Sequence, residues 1–301
     1  MVAIIGAGAL GAIYGSLLFQ ADPTSVYFIA DGERGQRLAR DGVQVNGDRF
    51  VIPVRTPEEA TPVDLVIVAV KYHQLDEACA ALVRAVGPDT AILSVMNGID
   101  SEERLAAVFG AEKLLYGLSL GIDAVRVGNA VSYRNQGRIL FGEKRNEVPS
   151  ERVRRVAALF DKAGIAHVTP VDMIRSLWFK YMINVGVNQV SALLGLSYGR
   201  MREDRAARDL MEGAMREVID LAKSLQVDLA PADIQEFYRV LDTLDPDGKT
   251  SLLQDVEAGR KTEVEMLAGT VLALGERHGV ATPVNRRLFD EIRRLEAGFT
   301  P

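Results

Sequence analysis

The order of residues at the start of this chain suits few folds. Met1-Val-Ala-Ile-Ile5 is a short apolar run, Gly6-Ala7-Gly8-Ala9-Leu10-Gly11 follows at once, and Ala12 to Gln20 then reads as an apolar helix. A strand, a glycine-rich turn and a helix in this order form the first unit of a doubly wound sheet. Gly6 permits the tight turn off the strand. Gly8, without a Cβ, lets a diphosphate approach the backbone. Gly11 lets the helix pack against the sheet. The helix N-terminus offers free N–H groups and a positive dipole end. Gly6, Ala7, Gly8, Ala9, Leu10 and Gly11 are therefore the expected cradle of a dinucleotide.

Alternation of strand-like and helical segments continues through the first half. Ser25–Ile29, Asp64–Val70 and Thr90–Ser94 are continuous apolar runs, with helical patterns at Glu33–Arg40 and Leu75–Val86. Such runs separated by helices imply a parallel sheet covered on both faces. Asn46-Gly47-Asp48 between Val43–Val45 and Phe50–Val54 signals a hairpin. Leu114–Gly121 and Ala130–Gly142 read as later strands, and Ile165–Thr169 as a last one. From Ser150 the pattern is mainly helical: 151–163, 171–194, 205–225, 231–241, 252–258, 263–278 and 283–297. The expected fold class is thus α/β, a Rossmann-type dinucleotide-binding domain over 1–169 followed by an all-α domain over 170–301, with the boundary at Thr169-Pro170.

The chain has 301 residues, of which 48% are hydrophobic and 25% charged, suiting two folded domains. A net charge of −6 argues against nucleic acid as a partner. No apolar run reaches about 18 residues, so no membrane span is expected. The only cysteine, Cys79, excludes an internal disulfide and fits a reducing, cytoplasmic setting; its helical context predicts a buried apolar role. No metal-ligand cluster is apparent.

Two polar constellations stand out in the helical half. Lys180, Asn184 and Asn188 are spaced i, i+4, i+8. Each step of four advances a helix by about 400°, a drift of about 40°, so the three share one face of an otherwise apolar helix. Buried polar groups without partners are costly, so the stripe suggests a lined cavity; taken alone it equally fits satisfied polar residues at a domain interface. The second constellation runs from Thr250-Ser251 through Gln254-Asp255 to Lys261-Thr262-Glu263. In one straight helix Ser251 and Glu263 would lie about 18 Å apart. Gly259 as a C′ residue and Thr262-x-x-Glu265 as a capping box predict a break between two helices. By themselves, Ser251 also reads as a helix cap with Gln254 at the third position, and Glu263 as a first-turn carboxylate favoured by the dipole.

Together with Val70-Lys71 at a strand end and Asn97-Gly98, these motifs resemble the ketopantoate reductase (2-dehydropantoate 2-reductase) family over essentially the whole chain. The resemblance implies reduction of ketopantoate to pantoate with NADPH, in the route to pantothenate and coenzyme A. It implies Lys180 as general acid and Glu263 as an orienting group by the reacting centre and the nicotinamide ribose. Asn184, Asn188 and Ser251 would hold the substrate, Asn97 would lie between substrate and nicotinamide, Lys71 would contact the cofactor, and Asp123 would offer backbone contacts to it. A homodimer through the helical domain would accord with the family.

The chain departs from the family pattern in two places. Asp31 stands where the family usually has an arginine for the adenosine 2′-phosphate. An acid about 20 residues past the glycine turn is the expected partner of a free ribose 2′-hydroxyl. NADP(H) is expected from the family, NAD(H) from Asp31, with Arg34, Arg37 and Lys71 as cations able to rescue the phosphate. Leu194–Gly199 replaces a more polar substrate-side segment, so a reductase of another branched 2-keto acid is the alternative activity. An inactive nucleotide-binding protein is the alternative from a different class, against which the intact Lys180 and Glu263 count.

Overall fold

The computed structural model describes residues 1–299. The chain divides into two compact units, Met1–Ile174 and Arg175–Pro301. This division falls five residues beyond the expected Thr169-Pro170 boundary. Asn146 Nδ2 donates to the Pro170 carbonyl at 2.8 Å, Met173 N donates to the Lys144 carbonyl at 3.1 Å, and Arg145 pairs with Asp172 at 3.1 Å. These bonds tie the connecting segment to the first unit.

The first unit comprises, in chain order, β1 (Val2–Ile5), α1 (Ala9–Ala21), β2 (Val26–Ile29), α2 (Gly32–Asp41), β3 (Val43–Val45), β4 (Asp48–Phe50), β5 (Val54–Arg55), β6 (Leu65–Val68), α3 (Leu75–Leu82), β7 (Ala91–Ser94), α4 (Ser101–Phe109), β8 (Leu114–Leu120), β9 (Val125–Val127), β10 (Ala130–Ser132), β11 (Arg138–Gly142), α5 (Glu151–Lys162) and β12 (His167–Val168). Eight strands form one sheet in the order β12-β11-β8-β7-β6-β1-β2-β5, parallel except for the antiparallel β8–β11 pair. On β1, Val2 and Ile4 enter one apolar core while Ala3 and Ile5 enter the other, as a strand's two-residue period requires. Both faces are therefore buried, which is why these strands read as unbroken apolar runs. β1 lies between β2 and β6, so chain order reverses at its carboxyl end, where doubly wound sheets bind ligands.

The sequence expectation needs correcting in the segment after α2. Asn46 and Gly47, with φ of 50° and 92°, do turn a hairpin, but its second strand is Asp48–Phe50 and not Phe50–Val54. Val54–Arg55 instead joins the edge of the large sheet beside β2. The Ala130–Gly142 segment is also two strands: β11 belongs to the large sheet, while β10 joins a second, four-stranded sheet in the order β4-β3-β10-β9.

Beyond α6 (Met173–Leu194), which begins at the end of the first unit, the second unit holds α7 (Tyr198–Glu203), α8 (Arg205–Ser224), α9 (Ala232–Leu241), α10 (Ser251–Glu257), a π-helical turn at Glu265–Gly269, α11 (Thr270–His278) and α12 (Pro283–Ala297). The short helix α7 has no counterpart in the sequence expectation. Cys79 is buried in α3, and burial raises its thiol pKa. Among the described residues no helix is long and apolar enough to cross a membrane, and no acidic, cysteine and histidine cluster could hold a metal ion.

Candidate active site

The glycine turn is built for close approach. Gly6 has φ of +98°, and a Cβ there would lie 2.5 Å from the Ala69 carbonyl oxygen on the neighbouring strand end. A Cβ on Gly11 would lie 1.9 Å from the Gly6 carbonyl oxygen, so α1 can press on the turn only without a side chain. Gly8 differs: a Cβ there would meet only the Ala69 oxygen at 3.8 Å and Arg126 Nη1 at 3.9 Å. Its missing side chain therefore leaves room that a ligand can use. Gly8 is the N-cap of α1, whose first turn carries no acid, so the positive end of the helix is not neutralised locally. Ala7, Ala9 and Leu10 are partly exposed along this turn.

Asp31 is exposed at the carboxyl end of β2. It occupies the N-cap of α2, yet its carboxylate makes no capping hydrogen bond. Lys71, partly exposed just past β6, donates its backbone N–H to Gln74 Oε1 at 3.3 Å. Asn97 lies on the bend between β7 and α4, next to Gly98 at φ of +100°. That bend is pinned at both ends. Tyr72 donates its hydroxyl to Asp100 at 2.9 Å, while Ser94 and Ser101 share a hydrogen bond at 2.8 Å. Ser101 Oγ donates in turn to Glu102, which also accepts the Gly117 N–H. Glu102 is buried, and desolvation pushes its carboxyl up to about 7. The Asp123 carboxylate accepts the backbone N–H groups of Arg134 and Asn135 at 2.9 and 2.8 Å, so its side chain secures a turn.

In the helical unit, Lys180, Asn184 and Asn188 all lie on α6 and are partly exposed among buried neighbours Tyr181, Met182, Val185 and Val187. Among the described residues the two asparagine side chains have no hydrogen-bond partner. Burial lowers the Lys180 amine to about 8, and the nearby Glu263 carboxylate pulls it back upward. An ammonium short of solvent beside a carboxylate is a proton donor poised close to neutrality.

The break after α10 is a Schellman motif. Gly259 has φ of +60°, Gly259 N–H donates to the Val256 carbonyl at 3.0 Å, and Arg260 N–H donates to the Asp255 carbonyl at 2.9 Å. The expected capping box at Thr262 does not form. Thr262 donates its hydroxyl and its N–H to Glu296 instead, and accepts the Val264 N–H at 3.3 Å. The Glu265 carboxylate turns to Lys261 and Arg293 at 3.3 and 3.1 Å. At the start of α10, Thr250 is the cap, accepting the Leu253 N–H at 3.2 Å, so Ser251 stands exposed at the first helical position and does not cap the helix.

Two features of this region had no signal in the sequence. Tyr181, adjacent to Lys180, donates its hydroxyl to the Leu267 carbonyl inside the π-helical turn. Arg126, on β9, reaches Gly8 only because β10 pairs with the distant β3.

Residues 2–146 match the family model described as ketopantoate reductase PanE/ApbA, and residues 172–296 match its C-terminal counterpart. The chain belongs to the ketopantoate reductase family. It is 29% identical over 305 residues to the 2-dehydropantoate 2-reductase of Archaeoglobus fulgidus, covering 99% of this chain and 98% of that protein. The crystal structure of a 2-dehydropantoate 2-reductase from Geobacter metallireducens GS-15 is 30% identical, with a TM-score of 0.86 over 97% of this chain and 99% of that one. The same fold recurs, with a TM-score of 0.90 and 22% identity over 99% of both chains, in a D-mandelate dehydrogenase solved with NADH and anilino(oxo)acetate. Membership in the ketopantoate reductase family thus extends through both units.

Proposed function

We propose that this protein reduces the ketone of 2-dehydropantoate to the alcohol of pantoate, using a nicotinamide dinucleotide. The observation that carries this reading is Lys180: an amine lowered to about 8 by burial, next to the Glu263 carboxylate, on the helix face shared with Asn184 and Asn188. A ketone accepting hydride develops negative charge on oxygen. The Lys180 ammonium stabilises that charge by a charge-assisted hydrogen bond and delivers the proton that completes the alcohol. Glu263 keeps the amine protonated in an apolar setting and orients it. Asn184, Asn188 and Ser251 anchor the substrate carboxylate and hydroxyl as neutral donors, which adds no second proton source.

The Gly6–Gly11 turn fits a dinucleotide, since Gly8 leaves open space where a diphosphate approaches the backbone. Bound there, a reduced nicotinamide supplies the hydride. Lys71 would contact the cofactor, Asn97 and Glu263 would hold it towards its nicotinamide end, and the backbone near Asp123 would add a contact. NADPH is the family's cofactor. A specific observation favours NADH as a second reading: the Asp31 carboxylate is exposed and unused at the end of β2, where it can accept a ribose 2′-hydroxyl and would repel a phosphate. We also propose a homodimer formed through the helical unit.

Initial rates with ketopantoate, using NADPH and NADH in parallel, test the reading. Turnover with one of them is expected. Turnover with neither, alongside activity on another 2-keto acid, would replace the substrate while leaving the chemistry intact.

A further inference from the structure

A recess opens beside the glycine turn within the first unit, lined among others by Ala7, Arg34, Arg37, Arg126 and Asn129. Its three cations come from two elements. Arg34 and Arg37 are three residues apart on α2 and so share a face of that helix. Arg126 sits on β9 of the small sheet, where its Nε donates to the Gly128 carbonyl at 2.9 Å. Its Nη1 lies 3.9 Å from the point that a Cβ on Gly8 would occupy. Among the described residues no acidic side chain lines the recess; Asp31 and Glu33, at the same end of α2, are not part of it. Three guanidinium groups gathered at one recess favour a shared anion. The place where they gather adjoins the open side of Gly8 and the N-terminus of α1, both of which select for phosphate oxygens.

Resting on the dinucleotide reading above, the geometry points to Arg126 as a ligand of the cofactor's diphosphate, with Arg34 and Arg37 extending the same anion subsite towards the adenosine ribose. A guanidinium suits this task because its planar fork can hold two phosphate oxygens at once. The assignment gives the chain a source of phosphate affinity that does not depend on residue 31. It also separates two contributions. Arg126 acts on a group common to NADH and NADPH, whereas Arg34 and Arg37 act on the end of the cofactor where the two differ.

The test is equilibrium binding of NADPH, NADH and nicotinamide mononucleotide, without keto acid, to the wild-type chain and to R126A, R126K and the R34A/R37A double variant. R126A should weaken NADH and NADPH alike, by about 10-fold to 100-fold, as expected for one charge-assisted contact. R126K should recover part of that loss. The mononucleotide, which has no diphosphate bridge, should bind R126A and wild type equally. R34A/R37A should weaken NADPH more than NADH. The proposal is overturned if R126A binds both dinucleotides within about 2-fold of wild type. It is also overturned if the loss in R126A is matched by a fall in the unfolding midpoint of the nucleotide-free protein that R126K fully repairs, since Arg126 would then act through its bond to Gly128. Normal dinucleotide binding without turnover of ketopantoate would sink the substrate reading alone; a wild-type chain that binds neither dinucleotide would sink both.

Discussion

The Tyr181 hydroxyl donates a 2.7 Å hydrogen bond to the Leu267 carbonyl oxygen. Tyr181 is buried and follows Lys180 on α6, while Leu267 lies in the π-helical turn Glu265–Gly269. In that turn Gly269 N–H reaches back to the Val264 carbonyl at 3.1 Å, one residue further than in an α-helix. Tyr181 gives the Leu267 carbonyl of this wider ladder a side-chain donor. This bond links the helix that carries Lys180 to the segment that follows Glu263.

Replacing Tyr181 by phenylalanine removes the donor and leaves the Leu267 carbonyl buried. The expected cost is about 1–3 kcal/mol of stability, with a lower kcat because the approach of Glu263 to Lys180 loosens. Denaturant unfolding together with steady-state kinetics checks this. An unchanged unfolding midpoint would mean the bond contributes nothing.

Lys180→Ala should lower kcat by about 10²-fold to 10⁴-fold while dinucleotide affinity is retained. With Lys180 as the proposed proton donor, the rate should fall as pH rises through about 8. A kcat–pH profile of the wild-type chain reads this directly. A flat profile between pH 7 and about pH 9 would remove Lys180 from the role of proton donor.

Asp31→Arg should raise the NADPH-to-NADH ratio of kcat/KM by about 10-fold to 100-fold, by exchanging a repulsive carboxylate for a charge-assisted donor. Parallel rates with both cofactors provide the measurement. A ratio that does not move would place the 2′-position of the ribose away from the end of β2.

Glu102 predicts a pH dependence of stability. Burial raises its carboxyl from 4.5 in the unfolded chain to about 7 in the folded one. Between these values the folded state binds the extra proton, so stability declines as pH increases. The contribution is fully present below 4.5 and is lost as pH rises through about 7. Glu102→Gln stays neutral and can still accept from Gly117. Relative to this variant, the wild-type chain should lose up to about 3 kcal/mol between pH 5 and 8, measured by urea unfolding at each pH. Parallel curves for the two proteins would show that Glu102 does not titrate in this window.

Gly259→Ala tests the Schellman stop. A Cβ there meets nothing within 4 Å, so the cost comes only from the backbone at φ of +60°. A loss of about 1–2 kcal/mol is expected, read from the unfolding midpoint. No change would show that the turn tolerates another geometry.

Much of this architecture could be read from residue order because the signals are local. β1, the glycine turn and α1 are contiguous, and so are the apolar stretches that become β2, β6 and β7. The polar face of α6 follows from helical period alone, and Gly259 marks a break that the Schellman hydrogen bonds carry out. Non-local contacts account for the misread elements. Phe50–Val54 looked like one strand because nothing nearby tells Val54 to pair with Phe28 of β2. The Thr262 capping box was a sound local pattern, but Glu296, 34 residues away, takes the threonine hydroxyl first. Thr250 caps α10 in place of Ser251, a one-residue shift that spacing does not resolve. Arg126 and Tyr181 gain their neighbours only through strand or helix pairings formed over long sequence distances.

The four-stranded sheet has one more implication, for engineering. Its halves are two hairpins, β3–β4 and β9–β10, joined where Gln44 and Val45 pair with Ala130 and Val131 and where Tyr133 N–H donates to Asn46 Oδ1. One hairpin continues directly from the helix bearing Arg34 and Arg37; the other carries Arg126. With Arg126 assigned to the diphosphate, dinucleotide affinity becomes a portable property: exchanging the hairpin at β9–β10 between relatives should change the affinity for NADH and NADPH alike while the eight-stranded sheet and α6 keep their own sequences.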